Sequence, residues 1–217
     1  MSRTTNIREA VESELGFDPL IDETNVAVKN LNGEVALNGT VPSYPQYLEA
    51  ERAAKRVAGV TGVHNHLEVV LPPEDYRDDV MLTTAANNAL TLNVTVPEGV
   101  EATAGNGNLT LTGSVSYGPQ REAAERAVAA LTGVRNIKDK IDVRYHLHSP
   151  DVNQLVLGAL NRYPPFRGRG DVTVDTAGNT VTLSGYVCTW AEHDAVVRAA
   201  WMAGGVVEVR DDIVVTG

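Results

Sequence analysis

The stretch "VALNGTV" (35–41) alternates apolar and polar side chains and then sets a glycine in mid-run. Alternation over this length is the pattern of a half-buried strand. Glycine inside a strand costs backbone entropy and offers no side chain to pack, so Gly39 needs a reason. The same pattern returns at "LTLTGSV" (109–115) and "VTLSGYV" (181–187). Gly39, Gly113 and Gly185 are 74 and 72 residues apart, the length of a small domain and too long for a solenoid unit.

Aligned on these glycines, the chain superimposes on itself without gaps for the next 26 residues. Twenty positions on stand Gly59, Gly133 and Gly205, each followed by valine (Val60, Val134, Val206). Asn65, Asp139 and Asp211 come at the twenty-sixth position, then Leu67, Ile141 and Ile213, then Val69, Val143 and Val215. Val28, Ala102 and Val174 stand eleven residues before each central glycine. The chain is read as a triplication. Pro72-Pro73 and Ser149-Pro150 interrupt the pattern between copies, which gives boundaries at 1–72, 73–148 and 149–217.

Each copy opens on a helical stretch. Ile7, Val11 and Leu15 recur every four residues in the first, and Val152, Leu155 or Val156, and Ala159 do so in the third. In the second, Met81, Ala85 and Leu92 are the candidates for the inward face. Asp75, Asp78 and Asp79 lie where this helix begins, and negative charge there suits the helix dipole. Two strands follow, joined by Asn-Gly, Gly-Asn and Ala-Gly-Asn centres that tolerate positive φ and predict hairpins. A second helix starts at "SYPQ" (43–46), "YGPQ" (117–120) and "TWAE" (189–192). Ser43 with Gln46 and Thr189 with Glu192 fit a capping box, which Tyr117 breaks. Pro45 and Pro119 sit early, where a missing N–H is harmless. Gly59, Gly133 and Gly205 are expected to end the helix in the left-handed conformation. The closing strand, after a helical crossover, must run parallel to the glycine strand. The fold class is α+β: three tandem αββαβ units, each a small mixed three-stranded sheet covered by two helices. Units this small bury little core alone, so they are expected to pack together. One face of the second helix is Ala-rich (Ala50, Ala53, Ala54; Ala124, Ala127; Ala199, Ala200, Ala203). That suggests that the strand glycine lets this helix approach the sheet.

Composition narrows the function. The 217 residues are 43% hydrophobic and carry a net charge of −10, from 28 acidic and 18 basic residues. That balance argues against nucleic acid as a partner. No apolar run reaches the length of a membrane span. The N-terminal stretch has no apolar core of a secretory leader. The expectation is a cytoplasmic protein, periplasmic only if a leader has been removed. The single cysteine, Cys188, allows no intrachain disulfide and reads as a small packed residue.

The combination V-x-L-x-G-x-V, an Ala-rich helix and G-V-x-x-V-x-N/D-x-L/I-x-V resembles the BON domain, a bacterial module named after osmotic-stress and nodulation proteins. The segment "SGYVCTWAEHDAVVRAAWMAGGV" (184–206) is similar to the last copy in triple-BON proteins. The resemblance covers nearly the whole chain. It implies a non-catalytic attachment or binding role linked to stress, with phospholipid membranes, apolar ligands, protein partners or a small ion as what is bound. It supplies no catalytic residue and no cofactor, and an enzyme is not expected.

Three groups of residues are candidates for contact. Tyr44, Tyr117 and Trp190 stand at the start of the second helix, as aromatic staples or as amphipathic contacts to lipid or partner. In "RYPPFRGRG" (162–170), Arg162, Arg167 and Arg169 with Tyr163 and Phe166 form a local cationic and aromatic stretch on an acidic chain, read as a loop or as a headgroup site. His64 with His66 and His146 with His148 are spaced to share a strand face. Each pair offers a metal only two ligands, so no metal site is assigned. Trp201 is expected to pack within or between units. The leading expectation is a binding scaffold with three related surfaces acting together. The alternatives are a cation or small-ligand sensor and a protein that self-assembles through sheet edges.

Overall fold

The computed structural model describes residues 3–144, 152–160, 162 and 171–217. The first repeat consists of α1 (Arg3–Phe17), β1 (Val26–Leu31), β2 (Glu34–Val41), α2 (Tyr44–Arg56) and β3 (Gly62–Val69). The second has α3 (Asp79–Leu92), β4 (Glu101–Gly105), β5 (Asn108–Val115), α4 (Gly118–Ala129) and β6 (Asn136–Val143). The third has α5 (Val152–Leu160), β7 (Asp171–Ala177), β8 (Thr180–Val187), α6 (Trp190–Met202) and β9 (Glu208–Val215). Each repeat makes its own three-stranded sheet, with the glycine strand in the middle. The hairpin partner is antiparallel and the strand after the crossover is parallel.

The hairpins follow their turn chemistry. Asn32-Gly33 and Asn106-Gly107 take positive φ at both residues, as a type I′ turn requires. In the third repeat Gly178 supplies the positive φ. The caps differ from the expected boxes. Thr189 and Glu192 satisfy each other's backbone N–H in full. Ser43 caps the Gln46 N–H, but the Gln46 side chain accepts from Asp22 N–H instead of closing the box. Tyr117 provides no side-chain cap, yet Gln120 Oε1 still accepts from the N–H groups of Ser116 and Tyr117.

The inward residues of each central strand (Val35, Leu37, Val41; Leu109, Leu111, Val115; Val181, Leu183, Val187) are buried under both helices. Ala50, Ala53 and Ala54, Ala124 and Val128, and Val196, Ala199 and Ala200 form the matching helix-two faces. In α3 the inward residues are Leu82, Ala86 and Leu90; Met81 and Leu92 point outward. The register expected for this helix is therefore shifted. Val11 and Leu15 stand 28 and 24 residues before Gly39, whereas Ala86 and Leu90 stand 27 and 23 before Gly113, so an alignment anchored on the strand glycine is one residue out of phase there. Asp78 caps α3 at the Met81 N–H, and Asp79 accepts from the turn N–H groups of Asn106 and Gly107.

The strand glycine has a different reason from the one the Ala-rich helix suggested. Gly39, Gly113 and Gly185 sit at φ +120°, +125° and +119°, a region L-residues avoid. A Cβ on Gly39 would lie 1.9 Å from the Asn25 carbonyl oxygen, and one on Gly113 would lie 2.3 Å from the Gly99 oxygen. These atoms belong to the chain entering the neighbouring strand, not to helix two. The glycine lets that incoming segment cross close over the central strand. The second glycine set also differs from expectation. The helices end at Arg56, Ala129 and Met202, and Gly59, Gly133 and Gly205 come later, at the third position of turns closed by Val60, Val134 and Val206 N–H groups.

Side chains blunt the sheet edges. On the edge strands β3, β6 and β9, Asn65, Asp139 and Asp211 each accept from the N–H two residues on (Leu67, Ile141, Ile213). On the opposite edge of the second repeat, Asn87 both donates to and accepts from Ala102, and Thr83 accepts from Ala104 N–H.

Candidate functional site

Helix two of each repeat meets its neighbours, and the position five residues after the strand glycine lies at every junction. That position is Tyr44, Gly118 and Trp190 in repeats one, two and three. Trp190 Nε1 donates to the Val60 carbonyl of repeat one at 3.1 Å, and the Lys55 ammonium lies 4.7 Å from its ring centroid. Gly118 lies under Trp201 of repeat three, where a Cβ would come within 2.5 Å of the indole; the Arg121 guanidinium covers the same ring at 4.4 Å. Tyr44 is buried, stacks on Tyr47 at 5.6 Å and lies within the field of Glu125 of repeat two. Repeat one thus faces two, two faces three, and three faces one. A head-to-tail contact of this kind closes when its rotation permits, and here it closes within one chain. The C-terminal Gly217 completes the return, packed beside Gly59 and Thr61.

Burial and charge tune the groups at these junctions. Burial, with Glu125 adding to it, pushes the Tyr44 phenol up to about 12. Glu125 is itself raised above the usual carboxylate range, first by burial and then by Asp139. His193 lies 5.0 Å from Trp190, edge to face, with Asp194 at 3.2 Å from Nδ1 and Asp211 at 2.8 Å from Nε2. Its pKa is raised, chiefly by the Asp194 bond, against the opposing effect of burial.

The candidate contact residues separate accordingly. Tyr44 and Trp190 are engaged between repeats. Tyr117 stands one residue earlier, at the N-cap, and is half exposed. Sequence reasoning paired Tyr117 with the other two aromatics and missed Gly118, because a glycine gives no sign of a corner. Column-by-column alignment on the strand glycine would have found it. Arg162 is exposed; Tyr163, Phe166, Arg167 and Arg169 lie outside the described residues, as do His146 and His148. His64 and His66 stack in parallel at 6.3 Å on the open face of the first sheet, with Glu34 at 3.1 Å from His64 Nε2. Among the described residues no three His, Cys, Asp or Glu side chains gather as a metal site. Cys188, partly buried, donates its backbone N–H to Glu192.

The junction of repeats one and two differs from the others. The position that carries Lys55 in repeat one and Trp201 in repeat three is Ala129 in repeat two. An open groove of about 450 Å³ remains there, lined by Leu20, Pro45, Leu48, Ala129 and Ala130. Arg52 and Arg126 flank it. Arg52 pairs with Glu49, and Arg126 has no ion pair among the described residues. Leu20 is 68% exposed and Phe17, at the end of α1, 83%.

A family model described as the BON domain matches residues 3–70, 78–145 and 150–217. The chain belongs to the BON domain family. Its three BON domains share the αββαβ order described above. The osmotically-inducible protein Y of Escherichia coli (strain K12) is 31% identical over 129 residues, 57% of this chain and 64% of that protein. The chain therefore spans less than two thirds of that relative's length. Solved structures that match include CdsD, a structural protein of the type III secretion system of Chlamydia trachomatis. It is 16% identical, with a TM-score of 0.26 over 96% of this chain and 91% of that one. The C-terminal domain of CdsD is 17% identical, with a TM-score of 0.27 over the whole of both chains. No helix among the described residues is long and apolar enough to cross a membrane.

Proposed function

We propose that the protein is a non-catalytic, stress-related binding scaffold, and that its ligand is an anionic amphiphile, with phospholipid as the first case. The groove between the first two BON domains carries this reading. It has an apolar floor and two guanidinium groups against one carboxylate, Glu49, on a protein of net charge −10, so it carries a local excess of positive charge on an acidic chain. The osmotically-inducible relative supports the link to stress. The floor exists because Ala129 replaces the larger Lys55 and Trp201 of the equivalent positions, so among the described residues the three junctions are not equal surfaces. Assembly through sheet edges is disfavoured by the side-chain caps on Leu67, Ile141 and Ile213.

Vesicle sedimentation tests the proposal. The protein is expected to pellet with vesicles of mixed phosphatidylglycerol and phosphatidylcholine and to stay in solution with phosphatidylcholine alone. A basic side chain near an anionic surface contributes about 1 kcal/mol, so Arg126→Gln should weaken binding about fivefold. Absence of binding to either vesicle, or binding unchanged in Arg52→Gln/Arg126→Gln, overturns it.

A further inference from the structure

We propose that the third repeat is a pH-sensitive latch, docked on the first two through Trp190 and Trp201 and held shut by the charged form of His193. The inference stands independently of the ligand assigned to the groove. Its first support is the pattern of burial. The buried residues of repeats one and two form one continuous core, whereas those of repeat three form a separate one. What joins the third repeat to the others is mainly α6, packed on α2 and α4. Both indoles of the protein sit in that contact: Trp190 against Val60 and Lys55, Trp201 against Gly118 and Arg121.

The second support is the geometry beneath Trp190. Both ring nitrogens of His193 face a carboxylate, Asp194 from its own helix and Asp211 from β9. A neutral imidazole has one N–H and can satisfy only one of them; the imidazolium satisfies both. The His193 side chain is 14% exposed, so a ring nitrogen left with a lone pair facing a carboxylate gains little from water. Burial works against the imidazolium, and the two carboxylates outweigh it; two cations also face Asp194. Lys55, reaching in from α2, is shared between Glu51 and the Trp190 face, and it favours an ionised Asp194, as does Arg198 on α6 itself. The imidazolium thus bonds both carboxylates and offsets one of their two charges directly under the ring that plugs into repeat one. When the proton leaves, two carboxylates and a half-paired imidazole remain below Trp190, and the plug loses its seat.

The direction follows from linkage. A histidine whose pKa is raised in the folded state above its ordinary 6.5 contributes fully below that value. The contribution is lost as pH rises through the higher folded pKa. The latch is therefore closed in mild acid and opens toward alkaline pH, baring two indoles on α6.

The protein has two tryptophans and both lie in the latch, so intrinsic fluorescence reports on it directly. Acrylamide quenching of the full chain is followed from about pH 6 to about pH 9, the window of a raised histidine. Quenching should rise along one titration with its midpoint above 6.5. His193→Gln should be readily quenched at every pH, and Asp211→Asn should titrate at a lower midpoint than wild type. In Trp190→Phe the remaining Trp201 should still follow the histidine, because the whole repeat lifts. Flat quenching in the wild type, an unchanged midpoint in Asp211→Asn, or a Trp201 that stays shielded while Trp190 titrates each overturns the proposal. Far-UV circular dichroism identifies a variant that has not folded; should that be His193→Gln, the Asp211→Asn midpoint decides.

Discussion

Replacing Gly113 by alanine tests the account of the strand glycine. The residue sits at φ +125°, and an added Cβ would lie 2.3 Å from the Gly99 carbonyl oxygen and 3.0 Å from Val100 Cα. Both neighbours are backbone, so neither can rotate away. Holding a non-glycine residue in such a conformation costs about 1–3 kcal/mol, and pushing the incoming segment aside costs about 1–3 kcal/mol more. The expected loss is roughly 4 kcal/mol, which for a chain of this size lowers Tm by about 8–16 °C. Gly105 in β4 is the internal control. It has no positive φ, and a Cβ added there would meet nothing within 4 Å, so Gly105→Ala should be neutral or stabilising by about 0.4–1 kcal/mol. Urea denaturation of the two variants beside wild type measures both. A Gly113→Ala loss below about 1 kcal/mol, or equal losses in the two variants, would refute the crossing-segment explanation.

Other predictions concern the contacts between and within repeats. Gly118→Ala wedges a methyl group against Trp201; calorimetry should then show a separate transition for the third repeat where wild type melts as one, and a single transition in both would contradict the junction. Asn87→Ala removes the donor and acceptor that close the β4 edge at Ala102 and should cost about 1–3 kcal/mol, with increased self-association visible by light scattering. Arg56 holds Glu14, Asp18 and Glu49 together and, as the largest cause, lowers the Asp18 pKa. The resulting stability is present above the ordinary 3.8 and is lost as pH falls through the lower folded value. Arg56→Ala should flatten the stability curve on that acid flank, and an unchanged flank would show that the network contributes nothing.

Most of the fold was legible because the signals were local. Asn-Gly hairpin centres, Ser43 and Thr189 caps and the 3.6-residue apolar spacing each act within a few residues, and triplication repeated them in one register. Misreadings arose where through-space neighbours decide. The partner of Gly39 is Asn25, brought over it by the hairpin, and no spacing rule shows that the carbonyl arrives from this side. The α3 register failed because Leu82, Ala86 and Leu90 stand one residue closer to their strand glycine than Ile7, Val11 and Leu15 do to theirs. At the candidate site, sequence singled out Tyr44 and Trp190 but not what they meet: Val60 and Trp190 are 130 residues apart. The groove was invisible for a similar reason. Ala129 is unremarked in a helix of alanines, and it matters only because Lys55 and Trp201 fill the same position elsewhere.

The claim that underlies the rest is that the three BON domains close head to tail into one body. Small-angle X-ray scattering in mild acid, where the latch is shut, tests it most directly. A compact chain of 217 residues should give a radius of gyration of about 17 Å and a distance distribution with a single peak. A clearly larger radius with a shouldered distribution, the signature of domains strung along the chain, would contradict it.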